Sequence, residues 1–236
     1  MRFRKKADIL INASERVLRY RKGNTMVFDG ILFDLDGTLW DSVPEVILSW
    51  NQVLARCGAG RPPLTEEEMS ACMGLRQMEI AARLFPDLPE ERQAELMEAC
   101  FAEENRYLAV HGAAVYPGAE TVLARLSEQC PLFVVSNCQD GYIQAFYQGT
   151  GLGKYFADFE CAGRTGLPKS ENIRLVVHRH GLKRPIYVGD TALDERSARE
   201  AGVPFLHAAY GFGVVEGVPA VRSLAELPET LERLGK

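Results

Sequence analysis

The sequence predicts an α/β fold: a parallel sheet with helices on both faces, interrupted after its first strand by a separate helical module. Three observations carry this. Short apolar runs alternate with helix-period segments after Pro117-Gly118. Roughly 70 residues from Asp41 to Gly112 offer helices and no strand, the mark of a second small module. A chain of 236 residues, 47% hydrophobic and 25% charged, is long enough to bury a sizeable core and excludes a disordered or fibrous chain.

Taken in order, residues 1–26 form a basic extension, in which Arg2, Arg4, Lys5, Lys6, Arg16, Arg19, Arg21 and Lys22 face only Asp8 and Glu15. It reads as a solvated tail, or as a start placed upstream of Met26, and no function is assigned to it. A secretory signal is not expected, because no apolar stretch of sufficient length follows the charges. Gly30-Ile31-Leu32-Phe33-Asp34 is an apolar run of the kind buried in a parallel sheet. Ser42-Val-Pro-Glu45 has the form of a capping box with an early proline, and Val46, Ile47, Trp50, Val53 and Leu54 continue at helical spacing until Gly58. Thr65-Glu-Glu-Glu68 opens a second helix, Gly74 to Phe85 reads as a third, and Pro89 to His111 as a long, Glu-rich fourth. Beyond Pro117-Gly118, helices at 119–128, 142–150, 170–180 and 194–201 alternate with strands at 132–136, 158–161, 185–189 and 204–207. Core residues are thus expected at 27–41 and 113–236, and the helical module at 42–112. Right-handed crossovers bring all strand C-termini to one edge, where such sheets bind ligands.

Charge and cysteine usage narrow the function classes. Lys+Arg 27 against Asp+Glu 32 leaves a net charge of −5, so no global attraction to phosphate backbones exists and no nucleic-acid partner is expected. No apolar run approaches the roughly 20 residues that span a bilayer, so no membrane partner is expected either. Six dispersed cysteines without a CxxC pair point to reduced thiols and a cytoplasmic setting.

Four strand ends carry polar residues. Asp34-Leu-Asp36-Gly37-Thr38 places two carboxylates two residues apart just past a strand, where one can attack or bind metal while the other exchanges protons; a plain Asp-Gly turn is the bland alternative. Ser136-Asn137 ends an apolar strand with a hydroxyl and backbone N–H groups suited to an anion, though Ser-Asn also opens ordinary loops. Lys169 stands beside a helix start, where positive charge can neutralise phosphate; alone it would read as a solvated loop lysine. Asp190 and Asp194 follow a buried strand four residues apart and can face one hard cation, with N-capping by Asp190 or Thr191 as the alternative.

In this order the four segments resemble the signature motifs of the haloacid dehalogenase superfamily, over residues 27 to about 213, and the chain is similar to its phosphoglycolate phosphatase-like members at Tyr116-Pro-Gly118 and Tyr210-Gly-Phe-Gly213. The third motif, usually Lys-Pro, is here Pro168-Lys169-Ser170. The resemblance implies a Rossmann-like parallel core with a helical cap, and a Mg2+-dependent phosphatase acting on a small phosphorylated metabolite. It makes Asp34 the nucleophile that becomes an aspartyl-phosphate and Asp36 the acid and base. Lys169 becomes the charge-neutralising group. Asp34, the Asp36 carbonyl and Asp190 become the metal ligands, with Asp194 orienting Lys169 or a water from behind. Gly37, Thr38, Ser136 and Asn137 are expected around the phosphoryl oxygens, and Arg76, in Met73-Gly74-Leu75-Arg76, in a specificity loop or equally on solvent.

Phosphoglycolate or a similar compact acid phosphate is the leading expectation for substrate; a sugar phosphate, a nucleotide and pyrophosphate remain open. Dehalogenase relatives lack the second aspartate of the first motif, so Asp36 argues against carbon–halogen cleavage. A phosphonate-cleaving relative needs a cap lysine, and none occurs between Lys22 and Lys154. A sugar-phosphate mutase ranks second, and an inactive binding protein of the same fold would need a damaged motif set. The chain is expected as a monomer or homodimer. His111, His178, His180 and His207 lack metal-ligand spacing and are expected on the surface. Trp40 and Trp50 are expected in packing, with Trp40 the better candidate for the cleft, and the Glu103–Glu104 face on solvent.

Overall fold

Alternation along the strands decides the layering. The structure, a computed structural model, describes residues 26–235, so the expectation for the basic extension falls almost wholly outside the described residues; Met26 itself is buried. The main sheet has six parallel strands in the order β5-β4-β1-β6-β7-β8: β1 (Gly30–Phe33), β4 (Leu132–Ser136), β5 (Phe156–Cys161), β6 (Pro185–Gly189), β7 (Phe205–Ala208) and β8 (Ala220–Val221). Because successive side chains leave a strand on opposite faces, Leu32, Phe133, Val135 and Tyr187 pack with Ile173, Val176 and Ala198 of α8 (Lys169–His180) and α9 (Ala192–Ala201). On the other face Ile31, Phe33, Val134 and Val188 meet Leu123 of α5 (Ala119–Ser127), Phe146 of α6 (Tyr142–Thr150) and Leu231 of α10 (Leu227–Leu234).

Past β1 the chain forms a two-residue strand β2 (Trp40–Asp41), runs through four helices and returns as β3 (Ala114–Val115), antiparallel to β2. The helices are α1 (Val43–Arg56), α2 (Glu66–Ser70), α3 (Gln77–Leu84) and α4 (Glu90–His111); α7 (Ala162–Thr165) lies later, between β5 and α8. Thr65 closes the expected capping box with Glu68. Ser42 does not: its hydroxyl gives its hydrogen bond to Asp36 Oδ1, 2.7 Å away, and α1 starts without a side-chain cap.

The fold class and the sheet strands between β1 and β7 agree with expectation to within two residues at most ends. The structure adds β8 and α10 at the C-terminal edge and the β2–β3 ribbon. Two expectations are corrected here. His207 is buried rather than exposed, its Nε2 3.2 Å from the Asp190 carbonyl, because β7 is flanked by strands on both sides. Glu104 is 4% exposed, because α4 presents it on the same face as Met97, Cys100, Phe101 and Leu108.

Phe146 is fully buried, with ring centroids 4.9 Å from Trp40 and 6.4 Å from Phe156. Its replacement, Phe146→Ala, is expected to destabilise the fold by about 3–5 kcal/mol, read from the midpoint of urea unfolding; a loss below about 1 kcal/mol would contradict this packing.

Candidate active site

The strands β4, β1 and β6 are neighbours, so their C-terminal ends deliver Ser136, Asp34 and Asp190 to one edge of the sheet. Helix α8 starts there with Lys169, and α9 brings Asp194 in its first turn. Lys169 is buried, with Nζ 3.0 Å from Asp34 Oδ1 and 2.6 Å from Asp194 Oδ1. Asp194 is fixed in turn by a capping box: Oδ2 accepts from the Thr191 hydroxyl at 2.6 Å and the Thr191 N–H at 3.0 Å. Thr191 caps the helix, as the alternative reading of this segment expected, while Asp194 meets the lysine.

Oxygens of Asp34, Asp190 and Asp194 all lie within 4.8 Å of one another. Burial and the neighbouring Asp194 push the Asp190 carboxyl up to about 7, and burial with the same neighbour raises Asp34 well above the usual carboxylate range. Burial works against the Lys169 ammonium, but Asp194 and Asp34 beside it hold its proton more firmly than in a free lysine. One ammonium against three buried carboxyl groups leaves a deficit of positive charge. A hard divalent cation fits that deficit, and the all-oxygen donor set suits Mg2+.

Gly37 turns the chain here in a left-handed conformation (φ +78°), and a Cβ on it would lie 2.1 Å from Asp190 Oδ2. Gly211 is as tightly placed, since its Cβ would lie 2.2 Å from the Gly37 carbonyl. Gly37 and Thr38 have polar groups engaged within the protein. The Gly37 N–H is spent on the Trp40 carbonyl at 2.9 Å within the turn. Thr38 is fully buried, its hydroxyl 3.5 Å from Asp190 Oδ1 and its carbonyl taken by the Tyr210 hydroxyl. The other Asp190 oxygen accepts from the Phe212 N–H at 2.8 Å.

Asp36 faces away from this cluster. Its Oδ1 accepts from Trp40 Nε1 (2.9 Å), the Ser42 hydroxyl (2.7 Å) and the Tyr142 hydroxyl (2.7 Å). Burial raises its carboxyl above the usual range and these three donors partly oppose that. Asp34, Asp36, Ser136 and Asn137 line a chamber of about 60 Å³ whose far wall includes Trp50, Phe101 and Glu104. Trp50 rather than Trp40 therefore reaches the cleft. Arg76 stands outside this chamber, in an adjoining cavity of about 480 Å³, and donates to the Gly166 carbonyl at 3.2 Å. Asn137 Nδ2 makes a second link across the seam, to the Gly74 carbonyl at 2.9 Å.

Sequence reasoning missed Tyr142 and the inward place of Glu104, and it named Phe212 only within Tyr210-Gly-Phe-Gly213, without a role. Nothing local marks Tyr142. Glu104 had a signal, since it falls in the helical phase of the buried positions of α4.

The family model described as haloacid dehalogenase-like hydrolase matches residues 31–208. A phosphoglycolate phosphatase of Rhodobacter capsulatus is 32% identical over 189 residues, covering 77% of this chain and 84% of that protein. One of Agrobacterium fabrum is 29% identical over 190 residues, covering 77% and 80%. A haloacid dehalogenase-like family protein of Streptococcus pneumoniae shares the fold, with a TM-score of 0.73 at 20% identity over 86% of this chain and 98% of that one. The chain belongs to the haloacid dehalogenase-like hydrolases, among their phosphatases.

Proposed function

We propose that the chain hydrolyses a small phosphomonoester by way of an aspartyl-phosphate on Asp34, with Mg2+ as cofactor, in the cytoplasm. The observation that carries this is the buried Lys169 held between Asp34 and Asp194 with Asp190 alongside. The six free cysteines support the reducing compartment, and among the described residues no helix is long and apolar enough to cross a membrane.

In this reading a carboxylate oxygen of Asp34 attacks phosphorus in line with the leaving alcohol. Lys169 offsets the repulsion between two anions and orients the attacking carboxylate. Asp36, held off the cluster by Trp40, Ser42 and Tyr142, gives its proton to the departing oxygen, then takes one from the water that cleaves the acyl-phosphate. Burial raises its carboxyl above the usual carboxylate range, which favours the form that carries that proton. Ser136 and the backbone near Asn137 receive the phosphoryl oxygens. The carboxylates of Asp34 and Asp190 and the Asp36 carbonyl would hold Mg2+, which supplies positive charge beside the phosphoryl group. The helices between β2 and β3 act as a cap that shuts out water, and the chamber of about 60 Å³ calls for a compact substrate.

The test is phosphate release from a panel of small esters and pyrophosphate, with 2-phosphoglycolate included because the relatives' names carry it. Release is expected with Mg2+, not with EDTA, and is expected to vanish in Asp34→Asn with the unfolding midpoint little changed. Turnover surviving that substitution would rule out the covalent route.

A pH dependence follows from the carboxyl groups. Asp190 holds in the folded state a proton that the unfolded chain releases near pH 4, so the stability it contributes is present at low pH and lost as pH rises through about 7, and the raised carboxyl of Asp34 acts in the same direction. In EDTA the melting temperature is expected to fall between pH 6 and pH 8. Saturating Mg2+ is expected to raise it by about 5 °C at pH 8 and by less at pH 6, as scanning calorimetry would read. An equal gain at both pH values would contradict the placement of the metal on these groups.

A further inference from the structure

The wall of the chamber opposite Asp34 holds acceptors and no free cation. Glu104 is buried there, with Trp50 Nε1 donating to its Oε2 at 2.5 Å and the Gln139 side chain as a second hydrogen-bonding neighbour. No lysine or arginine forms an ion pair with it among the described residues. A buried carboxyl without a cationic partner is costly, so its place in a chamber wall calls for a reason outside packing. Asn137 supplies a second observation. It is 8% exposed, its Nδ2 is committed to the Gly74 carbonyl, and its Oδ1 is buried without a hydrogen-bond partner. The amide orientation is set by that donation, so the bare atom is an acceptor.

Resting on the phosphatase reading above, we propose that Glu104 and Asn137 recognise a leaving group that carries a free hydroxyl near the ester, as in a polyol monophosphate, and select against one that carries a carboxylate. A hydroxyl both donates and accepts, so it satisfies the bare Asn137 oxygen and the Glu104 carboxyl together. Burial pushes Glu104 up to about 8, so near neutral pH it holds a proton that a hydroxyl oxygen accepts. Once ionised, it accepts from the same hydroxyl instead. A carboxylate has no hydrogen for Asn137 and finds no counter-ion: Lys169 is engaged by Asp34 and Asp194, and Arg76 lies in the outer cavity on Gly166. On this ground the chain departs from the phosphoglycolate that its relatives' names suggest.

The experiment compares kcat/KM for glycerol 3-phosphate, phosphoethanolamine and 2-phosphoglycolate, with acetyl phosphate as a reference that lacks all three side groups. Glycerol 3-phosphate is expected to exceed 2-phosphoglycolate by at least about tenfold. In Glu104→Leu the ratio of glycerol 3-phosphate to acetyl phosphate is expected to fall about tenfold, as for a lost hydrogen bond to a buried carboxyl. A wild-type preference for 2-phosphoglycolate or phosphoethanolamine overturns the proposal whether or not the variant folds. So does a folded Glu104→Leu protein with the ratio unchanged. Hydrolysis of acetyl phosphate without discrimination removes this inference and leaves the phosphatase reading standing. Hydrolysis of none of the four removes both.

Discussion

A buried ammonium is the constraint on which the rest of the structure depends. Lys169 is out of water, so its charge must be met at short range, and Asp34 and Asp194 meet it at 3.0 and 2.6 Å. Those partners come from segments far apart in sequence, at the end of β1 and the start of α9. They converge only because β1 and β6 are neighbours with their ends on one edge. Leaving such a buried ammonium with neither water nor partner would cost about 3–5 kcal/mol, and with two carboxylates on it the loss of either one still leaves a counter-charge. The sheet order, the tight turn at Gly37 and the close approach of Gly211 all serve to let these charges meet without intervening side chains.

The same crowding separates two carboxyl groups that are only two residues apart. Asp34 lies in the charged cluster, while Asp36 is drawn aside by an indole and two hydroxyl groups. One aspartate thus sits against a cation and the other against neutral donors, and environments that differ so much are what allow neighbouring acids to do different chemistry.

Much of this was legible in the sequence because it is local. The runs at 30–34, 132–136 and 185–189 are apolar enough to be strands by themselves; the first two end in Asp34 and Ser136, and the third is followed at once by Asp190, the polar residues that the structure brings to the edge. What escaped notice depends on distance or on very short elements. A strand of two residues has no period to detect, so β2, β3 and β8 left no trace. Ser42 looked like a helix cap because the local pattern says so. The actual acceptor of its hydroxyl is Asp36, and a tertiary partner outweighed the local one. Tyr142 reaches the same aspartate from 106 positions away, a separation no window along the chain can register. Glu104 is the instructive error, since the density of glutamates on α4 suggested solvent while the helical phase of that one residue pointed inward.

The β2–β3 ribbon has a consequence for how the chain is divided into parts. Trp40 pairs with Val115 and Asp41 with Ala114, so the chain leaves the sheet and comes back at adjacent points. Whatever lies between those points can be lengthened, shortened or exchanged without moving either end, and the charged cluster at the sheet edge stays intact. Glu104 belongs to that replaceable stretch, whereas Asp34, Lys169, Asp190 and Asp194 do not. The excursion and the charged cluster are thus physically separable parts of one chain, joined along it only at the two neighbouring points of the ribbon.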